Sequence, residues 1–119
     1  MKLKHILFSF FVTLLFTSCE TNEINNCGTE TPLEDIAWLK ELKTNFEKDF
    51  SLTKRRITQY NYKGNTVFMI EHCVNCADSM ATVFDCEKNE VCAFGGIAGV
   101  NTCPDFGKSA TNKKVIWEN

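Results

Sequence analysis

The 119-residue sequence has few of the residues that mark disordered or repetitive chains. It contains 2 Pro and 6 Gly, with 44% hydrophobic and 24% charged residues, which excludes a collagen-like or disordered chain. A basic excess is also missing. Residues 1–18 hold two of the 13 basic side chains (Lys2 and Lys4) and no acid, so the rest of the chain carries a net charge of −4. We therefore expect no nucleic-acid partner, and the length allows one small domain.

The first 18 residues have the pattern of a signal peptide. Met1 to His5 form a short basic start. Ile6 to Phe16 follow as an apolar run interrupted only by Ser9 and Thr13. This order of charge and hydrophobicity is typical of an exported protein, and the run is short for a membrane span.

The end of this leader, Phe16-Thr17-Ser18-Cys19, resembles the lipobox of bacterial lipoproteins. It departs from the usual pattern in its first position, where Phe16 replaces Leu. The resemblance implies cleavage before Cys19, acylation of Cys19 and attachment to a membrane of the cell envelope. Glu20, in place of the Asp that retains such proteins in the inner membrane, favours the outer membrane. The alternative is an ordinary cleavable signal whose Cys19 joins a disulfide.

Cysteine is abundant for a chain of this length, and its count is odd. Seven cysteines cannot all pair within one chain, but six can if Cys19 carries lipid. In an exported domain of this size, an even set predicts a disulfide framework. The six candidates are Cys27, Cys73, Cys76, Cys86, Cys92 and Cys103. Six cysteines allow 15 connectivities, so the pairing stays open, although Cys103 is placed to pin the preceding glycine-rich loop to the sheet.

The pattern after the leader predicts an α+β fold. Residues 19–30 are polar and form a tether, and residues 31–119 form one domain. Thr31-Pro32-Leu33-Glu34 predicts a helix start with a capping box. From there to Asp49 we expect a single amphipathic helix of four to five turns. Its apolar face comprises Ile36, Trp38, Leu39, Leu42, Phe46 and Phe50.

Beyond residue 56 the hydrophobic period changes to two, which predicts short antiparallel strands. One hairpin turns at Lys63-Gly64-Asn65 and a second at Lys88-Asn89. The glycine-rich loop Gly95–Gly99 follows, and Lys114–Trp117 form a last strand. We therefore expect one helix packed on a disulfide-stapled sheet of four to five strands.

The motif Cys73-Val74-Asn75-Cys76 has the spacing of a redox dithiol. Such a motif is activated at the N-terminus of a helix. Here only Ala77 to Met80 separate it from the next predicted strand, which leaves no room for that helix. A weaker alternative is a zinc site formed by Cys73, Cys76, Cys86 and Cys92, although the second pair is spaced more widely than is usual.

Other candidate groups for catalysis are few. His72 is the one histidine beyond the leader, and it lies beside a cysteine expected to be oxidised. Asp85, Glu87 and Glu90 surround a turn, as solvated charges commonly do. The glycine-rich loop lacks the Lys-Ser/Thr of a phosphate loop. We therefore predict no catalytic residues, no cofactor and no enzyme activity.

Several local strings together resemble an uncharacterised family of small lipoproteins and secreted proteins from Bacteroidota-type bacteria. They include Pro32–Leu39, Tyr62–Gly64, Val83–Cys86, Cys92–Gly99, Cys103–Phe106 and Ile116-Trp117. The resemblance covers nearly all of the domain. It implies an exported protein of unknown function, and it assigns no chemistry.

These observations predict a lipid-anchored envelope protein that acts as a non-enzymatic binding or inhibitory module. Its expected partners are the membrane, through lipid on Cys19, and an unidentified protein. The alternative is a thiol-disulfide redox or metal-handling protein that uses Cys73 and Cys76.

Overall fold

The computed structural model describes residues 27–119. The predicted signal peptide, Cys19 and most of the predicted tether lie outside these residues. Two helices come first, α1 (Pro32–Asp35) and α2 (Ala37–Lys48). The remaining elements are β1 (Arg56–Tyr62), β2 (Asn65–Glu71), β3 (Met80–Phe84), β4 (Glu90–Gly95), β5 (Val100–Asn101), α3 (Phe106–Ser109) and β6 (Thr111–Glu118).

The strands form one antiparallel sheet in the order β5-β4-β3-β2-β1-β6. The last strand returns to pair with β1, so the end of the chain borders the first hairpin. The described part of the chain thus has six strands, and the expected four to five is too few. The strand that the sequence pattern missed is β5, because two residues after a glycine-rich loop show no alternation.

The predicted single helix is divided into two. Ile36 has an extended backbone (φ −91°, ψ 109°) between α1 and α2. The side chain of Thr31 does not cap the helix as expected. Instead its hydroxyl donates to Asp35 Oδ2 at 2.7 Å, and the Thr29 hydroxyl donates to the same oxygen. Both hydroxyls thereby hold the end of α1 rather than its beginning.

The apolar face of α2 packs on one face of the sheet. Leu39 and Phe46 lie against Ile57, Phe68 and Ile70 in a buried cluster. The two strand isoleucines are direct cross-strand partners, Ile57 opposite Ile70. This face of the sheet therefore forms a hydrophobic core with the helix, as the period of the helix predicted.

Phe50 was expected on this apolar face, and that prediction is wrong. The helix ends at Lys48, and the Phe50 side chain is 96% exposed. The cause is Arg55, which lies buried over the ring of Phe46. Its guanidinium donates to Asp49 and to Ser51, so the chain on both sides of Phe50 is held out of the helix.

The second face of the sheet has no long helix over it within the described residues. Tyr60, Tyr62 and Val67 point to this face, with Tyr60 opposite Val67. The segment from Cys103 to Ala110, which contains α3, crosses part of it and buries Phe106. The sheet therefore has a helix-covered face and a half-covered face.

Candidate functional site

The six cysteines predicted to form disulfides are paired in three bonds. They are Cys27–Cys86, Cys73–Cys76 and Cys92–Cys103, with Cα–Cα separations of 5.6, 5.5 and 5.7 Å. The predicted disulfide framework is confirmed. Cys86 and Cys92 flank the second hairpin, and each is bonded to a cysteine elsewhere in the chain rather than to the other.

The Cys73–Cys76 bond closes the loop between β2 and β3. No helix follows Cys76, since turns lead directly to β3 at Met80. The electrostatic activation typical of redox dithiols at a helix N-terminus is therefore not available here. Cys76 is exposed and Cys73 half-buried, whereas Cys92 and Cys103 are both buried. The three disulfides thus differ in their access to solvent.

The Cys92–Cys103 bond fixes the segment that crosses the half-covered face. Cys92 lies on β4, and Cys103 lies just past the glycine-rich loop. The bond therefore attaches this loop to the sheet, as predicted for Cys103. The Thr102 hydroxyl accepts from the backbone N–H of Ala93 at 2.9 Å, which reinforces the attachment. Phe106 follows and packs against the rings of Tyr60, Tyr62 and Phe94 at centroid distances of 5.1, 5.0 and 5.6 Å.

Beside this aromatic cluster lies an open groove of about 620 Å³. We call it the aromatic groove. It is lined by Tyr60, Met69, Phe94, Asn101, Cys103, Pro104, Phe106, Gly107, Ala110 and Lys113. Lys113 carries the one charge among these lining residues. Burial raises the pKa of Tyr60, and the nearby Glu71 carboxylate raises it further. The groove is therefore apolar, with neutral hydroxyl and amide groups and a single cation.

A second hollow, of about 480 Å³, lies at the hairpin turns, and two of its carboxylates, Asp85 and Asp105, have structural partners. Asp85 accepts hydrogen bonds from the backbone N–H groups of Glu87 and Asn89 at 2.9 and 2.8 Å. The side-chain amide of Asn89 lowers the pKa of Asp85. Asp105 accepts from the Tyr62 hydroxyl at 2.9 Å. These acids hold turns together and do not converge with a nucleophile.

His72 follows β2 and packs edge-on against Phe46, with ring centroids 5.3 Å apart. Burial lowers the pKa of His72, and the positive charge of Arg55 lowers it further. The lowered pKa favours a neutral ring at pH 7. Its ring contact is with an aromatic side chain of the core.

The glycine-rich loop allows a close approach between strands. Gly95 has φ +105°, and a Cβ atom there would lie 2.6 Å from the carbonyl oxygen of Ser79. Glycine at this position is required by backbone contact with the start of β3. The close approach of these two backbone segments therefore explains the glycine at position 95 without a ligand.

The cysteines of the zinc alternative belong to three different disulfides. Within residues 27–119, no group of three or more His, Cys, Asp or Glu side chains is arranged to hold a metal ion. None of the helices in the described part of the chain is long and apolar enough to cross a membrane.

Sequence reasoning placed the cysteines but missed the aromatic groove. The nearest signal was Cys103, which was predicted to pin the preceding glycine-rich loop to the sheet. The contacts of Phe106 with Tyr60 and Phe94 could not be predicted from the sequence, because Tyr60 and Phe94 lie on strands that are far apart in the chain.

Comparison with known proteins identifies a family for this chain. No curated protein and no solved structure matches the chain. The model of a domain of unknown function, DUF6970, matches residues 43–119. It includes the sheet, the aromatic groove and five of the paired cysteines, while Cys27 and α1 precede it. The chain belongs to the DUF6970 family, an uncharacterised family.

Proposed function

We propose that this protein is a lipid-anchored binding or inhibitory module of a bacterial, Bacteroidota-type cell envelope. Cleavage before Cys19 would leave that cysteine at the N-terminus with acyl chains, while the other six are consumed in disulfides. Two or three acyl chains give stable attachment that one chain does not. Glu20 supports the outer membrane as the destination.

The observation that carries the binding role is the aromatic groove. It combines an apolar floor with a few polar groups, which is the usual composition of a recognition site. The Cys92–Cys103 bond and the Phe106 contacts hold its walls in place. A preformed site loses less conformational entropy on binding than a mobile one.

The anchor is tested by metabolic labelling with an alkyne-tagged fatty acid, followed by fractionation of the cells. We expect wild-type protein to carry the label and to sediment with membranes. Cys19→Ser should lose both properties, and Ser18→Ala should keep both because a small residue still precedes the cysteine. Unlabelled wild-type protein in the soluble exported fraction would contradict the anchor.

The groove is tested with two matched charge reversals. Lys113 lines the groove, whereas Lys108 lies on α3 outside the lining. We expect Lys113→Glu to weaken retention of an envelope partner by the immobilised protein, and Lys108→Glu to retain it as wild type does. Equal retention by both variants would mean that the partner binds elsewhere.

A further inference from the structure

The exposed apolar side chains of the domain are concentrated at one end of the sheet, where β1 and β3 begin and β2 and β4 end. We call it the apolar end. Five of the seven large hydrophobic side chains that are exposed in the described chain lie there. They are Phe50, Leu52, Met80, Ile97 and Val100. Phe50 and Leu52 are almost fully exposed, and Ile97 is 86% exposed.

The Cys73–Cys76 disulfide lies in the middle of the apolar end. On one side, the backbone N–H of Val74 donates to the carbonyl oxygen of Lys54 at 2.7 Å, which joins the disulfide loop to the segment that carries Leu52. On the other side, Cys73 and Cys76 line a hollow of about 190 Å³ together with Met80 and Gly95. The disulfide therefore has exposed apolar side chains on both flanks.

The other two disulfides lack this setting. Cys92–Cys103 is buried under the half-covered face. Cys27–Cys86 is half-buried at the opposite end of the sheet, where Cys86 lies within 4.0 Å of the Thr66 carbonyl oxygen. Attack on a disulfide requires that a thiolate reach the sulfur, and the Cys73–Cys76 bond, with Cys76 exposed, is the most accessible of the three.

From these observations we propose a further activity: the apolar end binds extended, apolar polypeptide segments that contain free thiols and oxidises them through Cys73–Cys76. This goes beyond the proposed binding role of the aromatic groove and uses a different surface. An unfolded segment supplies the apolar side chains that would cover Phe50, Leu52 and Ile97. Reactivity comes from the substrate thiolate, so no lowered thiol pKa in this protein is needed.

The exchange balances without an additional reactant. A substrate thiolate attacks Sγ of the exposed Cys76, the Cys73–Cys76 bond breaks, and Cys73 leaves as a thiolate that takes a proton from water. A second substrate thiolate then attacks the substrate sulfur of the mixed disulfide and releases Cys76. Two electrons pass from the substrate dithiol to the protein, so one disulfide forms in the substrate and the protein is left with two thiols, at Cys73 and Cys76.

The position of the tether gives this end access to such segments. Eight peptide steps separate Cys19 from Cys27 and span at most about 26–29 Å. Strand β1 alone covers roughly 23 Å between the two ends of the sheet, and the loops add to that length. If Cys19 is anchored as proposed, the tether joins the domain at the Cys27–Cys86 end, and it is long enough to let the apolar end at the opposite side of the sheet face the aqueous compartment.

The test uses the purified full chain and two synthetic dithiol peptides of equal length. In one, Leu and Phe flank the cysteines, and in the other these are replaced by Ser and Gln. After acid quenching and alkylation, mass spectrometry counts oxidised peptide and the modified cysteines. We expect one peptide disulfide per protein, new labels on Cys73 and Cys76 alone, and an apolar peptide that reacts about tenfold faster. That ratio corresponds to about 1.4 kcal/mol of added binding.

Matched variants assign the preference to the surface. Leu52→Ser combined with Ile97→Ser should reduce the ratio of the two rates toward one, and neither change affects a buried side chain. Val91→Ser changes an exposed apolar residue near the other end of the sheet and should leave the ratio unchanged. Equal rates for the two wild-type reactions, or equal labelling of all three disulfides, would overturn the proposal. Because the readout does not depend on acylation, this result is independent of the anchor test.

Discussion

Removal of the three disulfides one at a time should give graded losses of stability. A cross-link stabilises a fold mainly by restricting the unfolded chain, and its effect grows with the length of the loop that it closes. The sequence separations are 59 residues for Cys27–Cys86, 11 for Cys92–Cys103 and 3 for Cys73–Cys76. The chain-entropy relation then gives about 4, 3 and 2 kcal/mol in that order.

Burial modifies this order in one place. Cys92 and Cys103 are buried, so their replacement by Ala also removes packed sulfur atoms, at a cost of roughly 1 kcal/mol. Cys73→Ala with Cys76→Ala should therefore be the least destabilising pair, and the other two pairs should each cost about 4 kcal/mol.

The assay is urea unfolding of the full chain and the three double variants, followed by tryptophan fluorescence. Trp38 and Trp117 both pack in the helix-side core, so the signal reports the same transition in every variant. The difference in stability is taken from the midpoint and the slope. A loss for Cys73→Ala with Cys76→Ala as large as that of either other pair would refute the loop-entropy reasoning.

Three further results are expected from unfolding measurements. Phe106→Ala should lower the free energy of unfolding by about 3–4 kcal/mol, because its buried ring contacts three other rings. The exposed Phe50 serves as the control, and Phe50→Ala should stay within about 0.5 kcal/mol of wild type. A larger loss for Phe50→Ala would contradict the exposure of that side chain. Gly95→Ala should lower the free energy of unfolding by about 2 kcal/mol or more, because Gly95 has a positive φ and its Cβ would meet the Ser79 carbonyl oxygen. Gly107 has open space around it and an ordinary φ, so Gly107→Ala should not destabilise the protein. Equal effects of the two substitutions would contradict the requirement for glycine at position 95. Several carboxyl groups have a lowered pKa in the folded protein because they accept hydrogen bonds. Their contribution to stability is therefore complete above the unfolded-state pKa near 4, and it is lost as the pH falls through the lowered folded-state pKa values. They are Asp35, Asp49, Asp85, Asp105 and Glu118. Stability that does not change between pH 5 and pH 2 would contradict these shifts.

Much of the fold followed from periodicity. The strand alternation of residues 57–62 and the apolar face of the helix gave the two layers and their contact correctly. The break at Ile36 was not visible, since an isoleucine with apolar neighbours continues a helical pattern. Its cause is the pair of threonine hydroxyls on Asp35, a local competition that a hydrophobic period does not report.

The position of Phe50 shows the same limit at the other end of the helix. The spacing of Phe50 fits the apolar face of the helix. However, Arg55 donates hydrogen bonds to Asp49 and Ser51, and these hold the chain on both sides of Phe50 out of the helix. The candidate sites likewise depend on contacts between residues that are distant in the sequence. The cysteine count predicted a framework but could not give its pairing, and the aromatic groove and the apolar end join residues that the sheet brings together from separate strands.

The central claim is a lipid-anchored module stapled by three disulfides, and intact mass spectrometry tests it most directly. The protein is purified from its native envelope and alkylated before and after reduction. The account predicts acyl mass on Cys19, no alkylation before reduction and six alkylated cysteines after it. An unacylated N-terminus, or free thiols among the six cysteines before reduction, would contradict it.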